Sequence, residues 1–272
     1  MRGNASVASS ALTMQGRDQI EIERSAAEAA KTVLTPVDVE RYLNPPADTR
    51  YGLEYAFHLL GDVRGRTVLD LGCGSGENLI PLVKRGANVI GMDISPELIE
   101  LARQRLGNYG LDANLQVRSA YETGLPDESV DVVFSIALLH HLDLPRVRTE
   151  IRRILHPSGL FIVREPIRFS RTVNYLRQFF PRPTADISDY EHPMTRNEVS
   201  VVSEGFEIVA ERNFRLLFVP LLKGFKVGRR QIWYLDRWLL RSFPGLERIA
   251  TEKVMSLRKE PASDGSALRV RQ

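Results

Sequence analysis

A glycine-rich run flanked by carboxylates is the most chemically suggestive part of the chain. Asp70 precedes Gly72, Gly74 and Gly76, and Glu77 follows them. Glycine lets the backbone turn sharply and approach a ligand closely. A dinucleotide fingerprint needs a further glycine where Glu77 stands, and a carboxylate in the first helical turn would repel a pyrophosphate. The acidic setting therefore favours a ligand that carries positive charge.

A third carboxylate, Asp93, ends the next apolar run of the sequence. In nucleotide-binding folds an acid about 20 residues beyond the glycines accepts hydrogen bonds from ribose hydroxyls. The alternative is that Asp93 caps the helix predicted to start at Pro96. Ser95 is better placed for capping, because it directly precedes a proline at the first helical position.

These residues resemble the class I S-adenosylmethionine-dependent methyltransferases, whose first motif is a strand followed by D-x-G-x-G-x-G. The match over residues 70–76 is complete, and residues 89–95 resemble the second motif. Residues 125–133 resemble the start of the fourth strand, and residues 150–160 resemble the passage from helix to fifth strand. The resemblance covers about residues 50–165 and resumes weakly over 195–212.

The resemblance implies S-adenosylmethionine as cofactor and a set of residues that bind it. One departure is Ser119-Ala120, since the family often has Asp-Ala after the third strand; a serine hydroxyl can still form a hydrogen bond. The implied cofactor-binding residues are Asp70, Gly72, Cys73, Gly74, Gly76, Asp93, Ile94, Ser119, Ala120, Tyr121, Ser135 and Ile136.

Candidate catalytic residues follow the fourth and fifth predicted strands. His140 and His141 come after the fourth strand, and an imidazole titrates near neutral pH. We marginally prefer His141 over His140 as a general base, while a structural role for both histidines stays open. Glu165 ends the fifth strand, where it could serve in catalysis or in a supporting salt bridge.

Strand-like and helix-like segments alternate between residues 65 and 165, which predicts βαβ units with helices on both faces of a parallel sheet. We expect an α/β fold: a doubly wound, Rossmann-like, mostly parallel seven-stranded sheet with an antiparallel last strand. The predicted strands are Thr67–Leu71, Asn88–Met92, Leu115–Val117, Val130–Ser135, Leu160–Arg164, Phe206–Glu211 and Ala250–Arg258. Helices are predicted over 18–43, 51–60, 78–85, 96–106, 145–155 and 195–204, the last with a Thr195/Glu198 capping box, and a short one over 170–180.

Segments outside the sheet are expected to form a helical cap over the carboxyl edge of the strands. The expected division is a disordered tail (1–18), N-terminal cap helices (19–61), the cofactor-binding core (62–165), a cap insertion (166–194), a core helix and strand (195–213), a helical cap insertion (214–247), a last strand (248–260) and a tail (261–272). Candidate substrate-lining residues are Tyr51, Tyr55, Tyr190 and His192. The alternative is that the cap aromatics form its own core, and that residues 189–194 only cap and turn.

Composition excludes several classes of protein. The 272 residues carry 37 Lys and Arg against 34 Asp and Glu, a balance that does not indicate nucleic acid. No apolar run reaches the ~18 residues of a transmembrane helix, and the polar start lacks the features of a secretory signal, so we expect a cytoplasmic protein. The single cysteine, Cys73, excludes an internal disulfide and a thiolate zinc cluster. No metal site is expected.

The basic, aromatic-rich stretch 215–248 leaves a choice between a membrane-contacting surface and a solvated cap face. We favour the solvated face. The sequence therefore predicts methyl transfer to an oxygen or nitrogen of a hydrophobic or aromatic small molecule. The alternatives are a protein that uses the cofactor for a non-methylating reaction such as cyclisation, and a peripheral membrane lipid methyltransferase. The oligomeric state is left open.

Overall fold

The computed structural model describes residues 19, 21–27, 29–169, 192–216 and 229–260. Seven strands form one sheet in the order β3-β2-β1-β4-β5-β7-β6. The strands are β1 (Thr67–Leu71), β2 (Asn88–Asp93), β3 (Asn114–Val117), β4 (Val130–Ile136), β5 (Leu155–Pro166), β6 (Phe206–Leu216) and β7 (Ala250–Lys259).

The strand directions confirm the expected doubly wound sheet. β1 pairs in parallel with β2 and β4, β2 with β3, and β4 with β5. β7 lies antiparallel between β5 and β6. The order reverses between β1 and β4, and open α/β sheets bind ligands beyond the carboxyl ends of the strands at such a point.

Helices cover both faces of the sheet. They are α1 (Glu40–Leu43), α2 (Gly52–Leu59), α3 (Leu79–Lys84), α4 (Pro96–Asn108), α5 (Leu144–Ile154), α6 (Arg196–Ser203) and α7 (Arg229–Ser242). Two 3₁₀ turns span Leu139–His141 and Pro244–Ile249. One apolar cluster joins α2, α3 and α4 to one face, and a second joins α5 and α6 to the other. The near-continuous burial of β1 and β4 follows from this double covering.

Local sequence signals set several helix starts. Ser95 caps α4, with its Oγ accepting a hydrogen bond from the backbone N–H of Leu98 at 3.2 Å. Thr195 and Glu198 form the reciprocal capping box of α6. Both predictions are confirmed, because the capping geometry depends only on residues within one turn.

The N-terminal helix is shorter than predicted. Residues 21–27 and 29–31 are helical, residues 32–38 are not, and α1 follows. Pro36 explains the break, since proline lacks a backbone donor and disfavours the helical conformation of the preceding residue. The predicted helix over 170–180, most of the first cap insertion and residues 217–228 of the second lie outside the described residues, as do both tails.

Candidate functional site

A cavity of about 930 Å³ opens beyond the carboxyl ends of β1, β2 and β4. The predicted residues that line it are Gly72, Asp93, Ile94, Ser119, Ala120, Tyr121 and His141. The lining residues that sequence reasoning missed are Glu21, Arg24, Ser25, Leu71, Met92, Arg118, Ala137, Leu138 and Leu142. Some of the missed residues directly adjoin predicted ones. Glu21, Arg24 and Ser25 come from the N-terminal helical segment, which was expected to join the cap, although the sequence did not single out these residues.

Gly72, the first glycine of the turn between β1 and α3, lines the cavity. Gly72, Gly74 and Gly76 have positive φ angles of 73°, 52° and 82°, a region that side chains disfavour. A Cβ atom on Gly72 would lie 2.8 Å from Leu138, and one on Gly76 would lie 2.9 Å from Ala102 of α4. A Cβ on Gly74 would meet no heavy atom within 4 Å. Gly76 therefore allows helix packing, while the backbone at Gly74 borders open space.

Asp93 ties the end of β2 to this turn. Its Oδ2 accepts a hydrogen bond from the backbone N–H of Gly74, and its Oδ1 accepts one from Ser95, each at 3.0 Å. A carboxylate oxygen can accept two hydrogen bonds, so these contacts are compatible with binding ribose hydroxyls. Asp93 faces the cavity, whereas Ser95 caps α4.

Asp70 lies fully buried at the end of β1, outside the described cavity lining. Neither of its carboxylate oxygens has a hydrogen-bond partner among the described residues. Burial, with a contribution from the charge of Asp93, raises the pKa of Asp70 to about 8. This orphaned acid beside a turn of positive-φ glycines fits a cofactor that carries a cationic group.

Residues after β3 form the opposite wall. The Ser119 Oγ accepts a hydrogen bond from the backbone N–H of Tyr121 at 3.3 Å. The Tyr121 hydroxyl accepts one from the backbone N–H of Asp143 at 2.8 Å, which ties this wall to the start of α5. Both side chains are thereby oriented at the cavity.

The side chain of Glu165 holds the loop after β4 through hydrogen bonds. Its Oε1 accepts hydrogen bonds from the backbone N–H groups of Leu138 at 2.9 Å and Leu139 at 2.7 Å. Its Oε2 accepts one from Nδ1 of His140 at 2.7 Å. With 1% of its surface exposed, Glu165 lies beneath the loop and outside the described cavity lining. The geometry thus gives Glu165 and His140 a positioning contact.

His141 faces the cavity from the same loop. Its Nδ1 lies 3.7 Å from Oε1 of Glu21, and its ring centroid lies 4.0 Å from that of His140. The neighbouring His141 is the main reason that the pKa of Glu21 is lowered. An imidazole at the cavity wall next to a carboxylate can exchange a proton with a bound molecule.

Other predicted cofactor residues lie behind the cavity. Cys73, Gly74, Gly76, Ser135 and Ile136 are absent from its described lining. Burial raises the pKa of the Cys73 thiol, which disfavours the thiolate. Ser135 is fully buried in β4. Direct contact of these side chains with a cofactor stays a prediction.

Of the candidate substrate-lining residues, Tyr51 and Tyr55 lie at α2, outside the described lining of the cavity. The Tyr55 ring packs 5.6 Å from that of Phe214 and 3.8 Å from the guanidinium of Arg212. His192 is half exposed, 3.6 Å from Glu198. Tyr190 lies outside the described residues. A substrate contact by any of these four residues stays a prediction.

The described residues contain no cluster of side chains suited to holding a metal ion. In the same part of the chain, every helix is too short or too polar to cross a membrane.

Residues 69–163 match the family model described as a methyltransferase domain. The chain is 32% identical over 128 residues to magnesium-protoporphyrin O-methyltransferase of Rhodobacter capsulatus, covering 44% of this chain and 55% of that protein. The chain spans about half the length of the first curated relatives it matches.

Two solved structures show the same fold at low identity. Geranyl diphosphate C-methyltransferase from Streptomyces coelicolor A3(2) has a TM-score of 0.59 at 14% identity, covering 89% of this chain and 98% of that one. The [4+2]-cyclase SpnF has a TM-score of 0.53 at 17% identity, covering 90% and 95%.

Proposed function

We propose that this chain is a class I S-adenosylmethionine-dependent methyltransferase and that it methylates an oxygen or nitrogen of a hydrophobic or aromatic small molecule. The observation that carries the proposal is the placement of Asp93 and His141 in one cavity. Asp93 is suited to hold the cofactor, and His141 is suited to accept a proton from the molecule beside it.

Different residues around the cavity would contact different parts of the cofactor. Asp93 would accept hydrogen bonds from ribose hydroxyls, and Ser119 with Ala120 would contact the adenine. The turn at Gly72 lets the backbone approach the ligand. The buried Asp70 carboxyl, whose raised pKa keeps it protonated at neutral pH, would lose its proton when the cationic part of the ligand binds near it. When bound, S-adenosylmethionine supplies a methyl group on a positively charged sulfur.

His141 would act as the general base for the acceptor. A hydroxyl loses its proton when its oxygen is methylated, and an amine can lose one after its nitrogen has gained the methyl group. The His141 imidazole at the cavity wall is placed to take that proton. Glu165 and His140 would position this residue, because they fix the loop that carries it. Alignment and exclusion of water supply the remainder of the catalytic effect.

A small-molecule acceptor agrees with two observations. The cavity lies beyond the carboxyl ends of the parallel strands, where open α/β sheets bind small ligands. The relative named above is an O-methyltransferase of magnesium protoporphyrin, a small aromatic molecule.

The experiment is incubation of the full chain with S-adenosylmethionine labelled at the methyl group and a panel of phenols, carboxylic acids and amines. We expect a product that gains one labelled methyl, detected by mass spectrometry. A product of unchanged mass that forms only with the cofactor would instead support the non-methylating alternative. SpnF, whose fold this chain shares, is named as a [4+2]-cyclase.

His141→Ala should lower kcat by roughly 10² to 10⁴ with a phenol acceptor found in that panel, because it removes the base that takes the phenol proton. His156→Ala is the matched control, since His156 is exposed on β5 and lies outside the described cavity lining. Rates would be compared at saturating acceptor across pH 6 to 9. Unchanged turnover of the His141 variant would dismiss it as the base.

A further inference from the structure

A second cavity, which we call the arginine cavity, lies between β6 and α7 and has a volume of about 620 Å³. Four arginines line it: Arg50, Arg212, Arg237 and Arg241. They come from the loop before α2, from β6 and from α7, so that three separate segments bring positive charge to one concave site. We call the cavity beyond the carboxyl ends of β1, β2 and β4 the cofactor cavity. Among the described residues, none lines both it and the arginine cavity.

Within the described part of the chain, no carboxylate forms a salt bridge with any of the four guanidinium groups, although the charge of Asp48 acts on Arg212. Arg212 donates to the backbone oxygens of Ala47 at 2.9 Å and Thr49 at 3.2 Å, and Arg237 donates to Thr49 at 3.2 Å. The guanidinium of Arg50 stacks over the Tyr234 ring at 3.7 Å. Backbone carbonyls and aromatic rings orient Arg50, Arg212 and Arg237 without neutralising their charge.

Two acids also line the cavity, and one is already engaged. Asp236 is 2% exposed, and its carboxylate accepts hydrogen bonds from the backbone N–H groups of Arg215 at 3.1 Å and Leu216 at 2.7 Å. Glu247 is exposed. Four cations against two carboxylates leave an excess of positive charge at the cavity.

Part of this positive charge is shielded from water. Burial is the main reason that the pKa of Arg212 is lowered, and the nearby charge of Arg237 lowers it further. The Nε atom of Arg50 is buried without a hydrogen-bond partner among the described residues. Shielded cations of like sign are unfavourable unless an anion pairs with them.

The sheet register places this site at a distance from the cofactor cavity. Ile136 of β4 pairs with Arg164 of β5, Arg164 pairs with Val254 of β7, and Val254 pairs with Arg212 of β6. Three strand spacings separate Ile136 from Arg212, roughly 14 Å. A group held by the arginines is therefore distinct from the cofactor.

We propose that the arginine cavity binds the phosphate or carboxylate group of a soluble small molecule. The planar fork of arginine matches both oxyanions through paired hydrogen bonds, and convergence of several forks favours a multiply charged anion. None of its lining residues belongs to the proposed catalytic set, so binding at this site can be measured without methyl transfer.

A membrane is the competing partner for this region. The side chains of Tyr234, Trp238 and Phe243 are more than half exposed, an arrangement typical of surfaces that enter a lipid interface. The arginines favour the soluble anion, because Arg50, Arg212 and Arg237 are partly buried around a concavity and a flat bilayer surface would not reach them.

The experiment measures binding of pyrophosphate and malonate to the full chain by calorimetry in buffers free of phosphate and carboxylate. We expect saturable binding of at least one anion that weakens about tenfold or more in Arg237→Gln and in Arg241→Gln. Arg248→Gln is the control, since this exposed arginine lies outside the described lining and removes the same charge. It should change the affinity by less than twofold.

Arg241 is exposed, so its variant keeps the test valid if loss of the Arg237 contact to Thr49 prevents folding. Absence of saturable binding to the wild type, or equal weakening by Arg248→Gln, would overturn the proposal. Binding to vesicles that contain phosphatidylglycerol without binding of either soluble anion would also overturn it. Neither binding measurement requires methyl transfer. Failure of the anion-binding proposal can therefore be distinguished from failure of the proposed function.

Discussion

Asp93 links the glycine turn to the proposed ribose site, because its side chain contacts the turn and lines the cavity. Its two oxygens hold the backbone N–H groups of Gly74 and Ser95 while the side chain faces the cavity. A single carboxylate therefore shapes the turn and presents acceptors to a ligand. This combination explains why an acid is needed at the end of β2, since a neutral side chain would offer fewer acceptor sites.

Asp93→Asn should weaken binding of S-adenosylhomocysteine about 10- to 100-fold, because hydrogen bonds to a charged acceptor contribute roughly 1.5–3 kcal/mol. Titration calorimetry measures this directly. Asp112→Asn is the control, since Asp112 is exposed on the loop before β3. Wild-type affinity in the Asp93 variant would contradict the ribose assignment.

Asp70 gives the protein a pH-dependent stability of predictable sign. Its pKa is raised to about 8 in the folded state, against ~3.9 for an ordinary aspartate. The folded protein thus holds a proton that the unfolded chain releases, and this contribution is present at low pH and lost as pH rises through about 8.

Asp70→Asn removes this dependence. The free energy of unfolding of the wild type, measured with urea, should fall relative to the variant as pH rises from 5 to 8. The limiting slope is about 1.4 kcal/mol per pH unit for one proton. Parallel pH profiles of the two proteins would show that Asp70 is ionised in the folded state.

At the scale of elements, the loop between β4 and α5 is shaped by a residue of the neighbouring strand. Ala137 has a positive φ of 56°, an uncommon conformation for a residue with a side chain. The residues after Ala137 are Leu138 and Leu139. The carboxylate of Glu165, one residue from the end of β5, accepts hydrogen bonds from both of their backbone N–H groups. The strained turn persists because this buried acceptor stabilises it.

Glu165→Gln should lower the free energy of unfolding by about 1–3 kcal/mol, since the amide leaves buried donors without a charged acceptor. Glu207→Gln on β6 is the matched control, because Glu207 is exposed and pairs only at the surface with Arg258. It should change stability by less than about 0.5 kcal/mol. Equal stability of the two variants would contradict the role given to Glu165.

At the scale of the whole molecule, the N-terminal helical segment completes the cofactor cavity. Glu21, Arg24 and Ser25 line it, although they precede β1 by more than 40 residues. The two main core clusters include no residue from this segment among those described. The segment therefore contributes to the cavity while adding little to the core, as expected of an element that closes over a ligand.

The double variant Glu21→Ala/Arg24→Ala should raise the Kd for S-adenosylhomocysteine on the order of tenfold, by removing two charged side chains from the cavity wall. The thermal midpoint should stay close to that of the wild type. Glu23→Ala/Lys31→Ala is a control of equal charge change at exposed positions. If both doubles bind equally well, the segment does not close the site.

The sequence by itself determined the sheet, the glycine turn, the acid at the end of β2 and the caps at Ser95 and Thr195. These features depend on neighbouring residues: apolar runs specify strands, glycines specify turns, and a cap needs only one helical turn. Strand ends were less well predicted. β5 and β6 extend beyond the predicted limits because β7 continues to pair with them at Pro166 and Leu216.

Only the tertiary structure decided which side chains face a cavity. The carboxylate of Glu165 accepts a hydrogen bond from the backbone after β4. Tyr55 packs against Phe214, and Glu21 lies beside His141. The arginine cavity likewise joins Arg50 to residues of β6 and α7 more than 150 positions away. Such contacts depend on how helices and loops pack on the sheet, and the local pattern of a sequence carries no direct record of that packing.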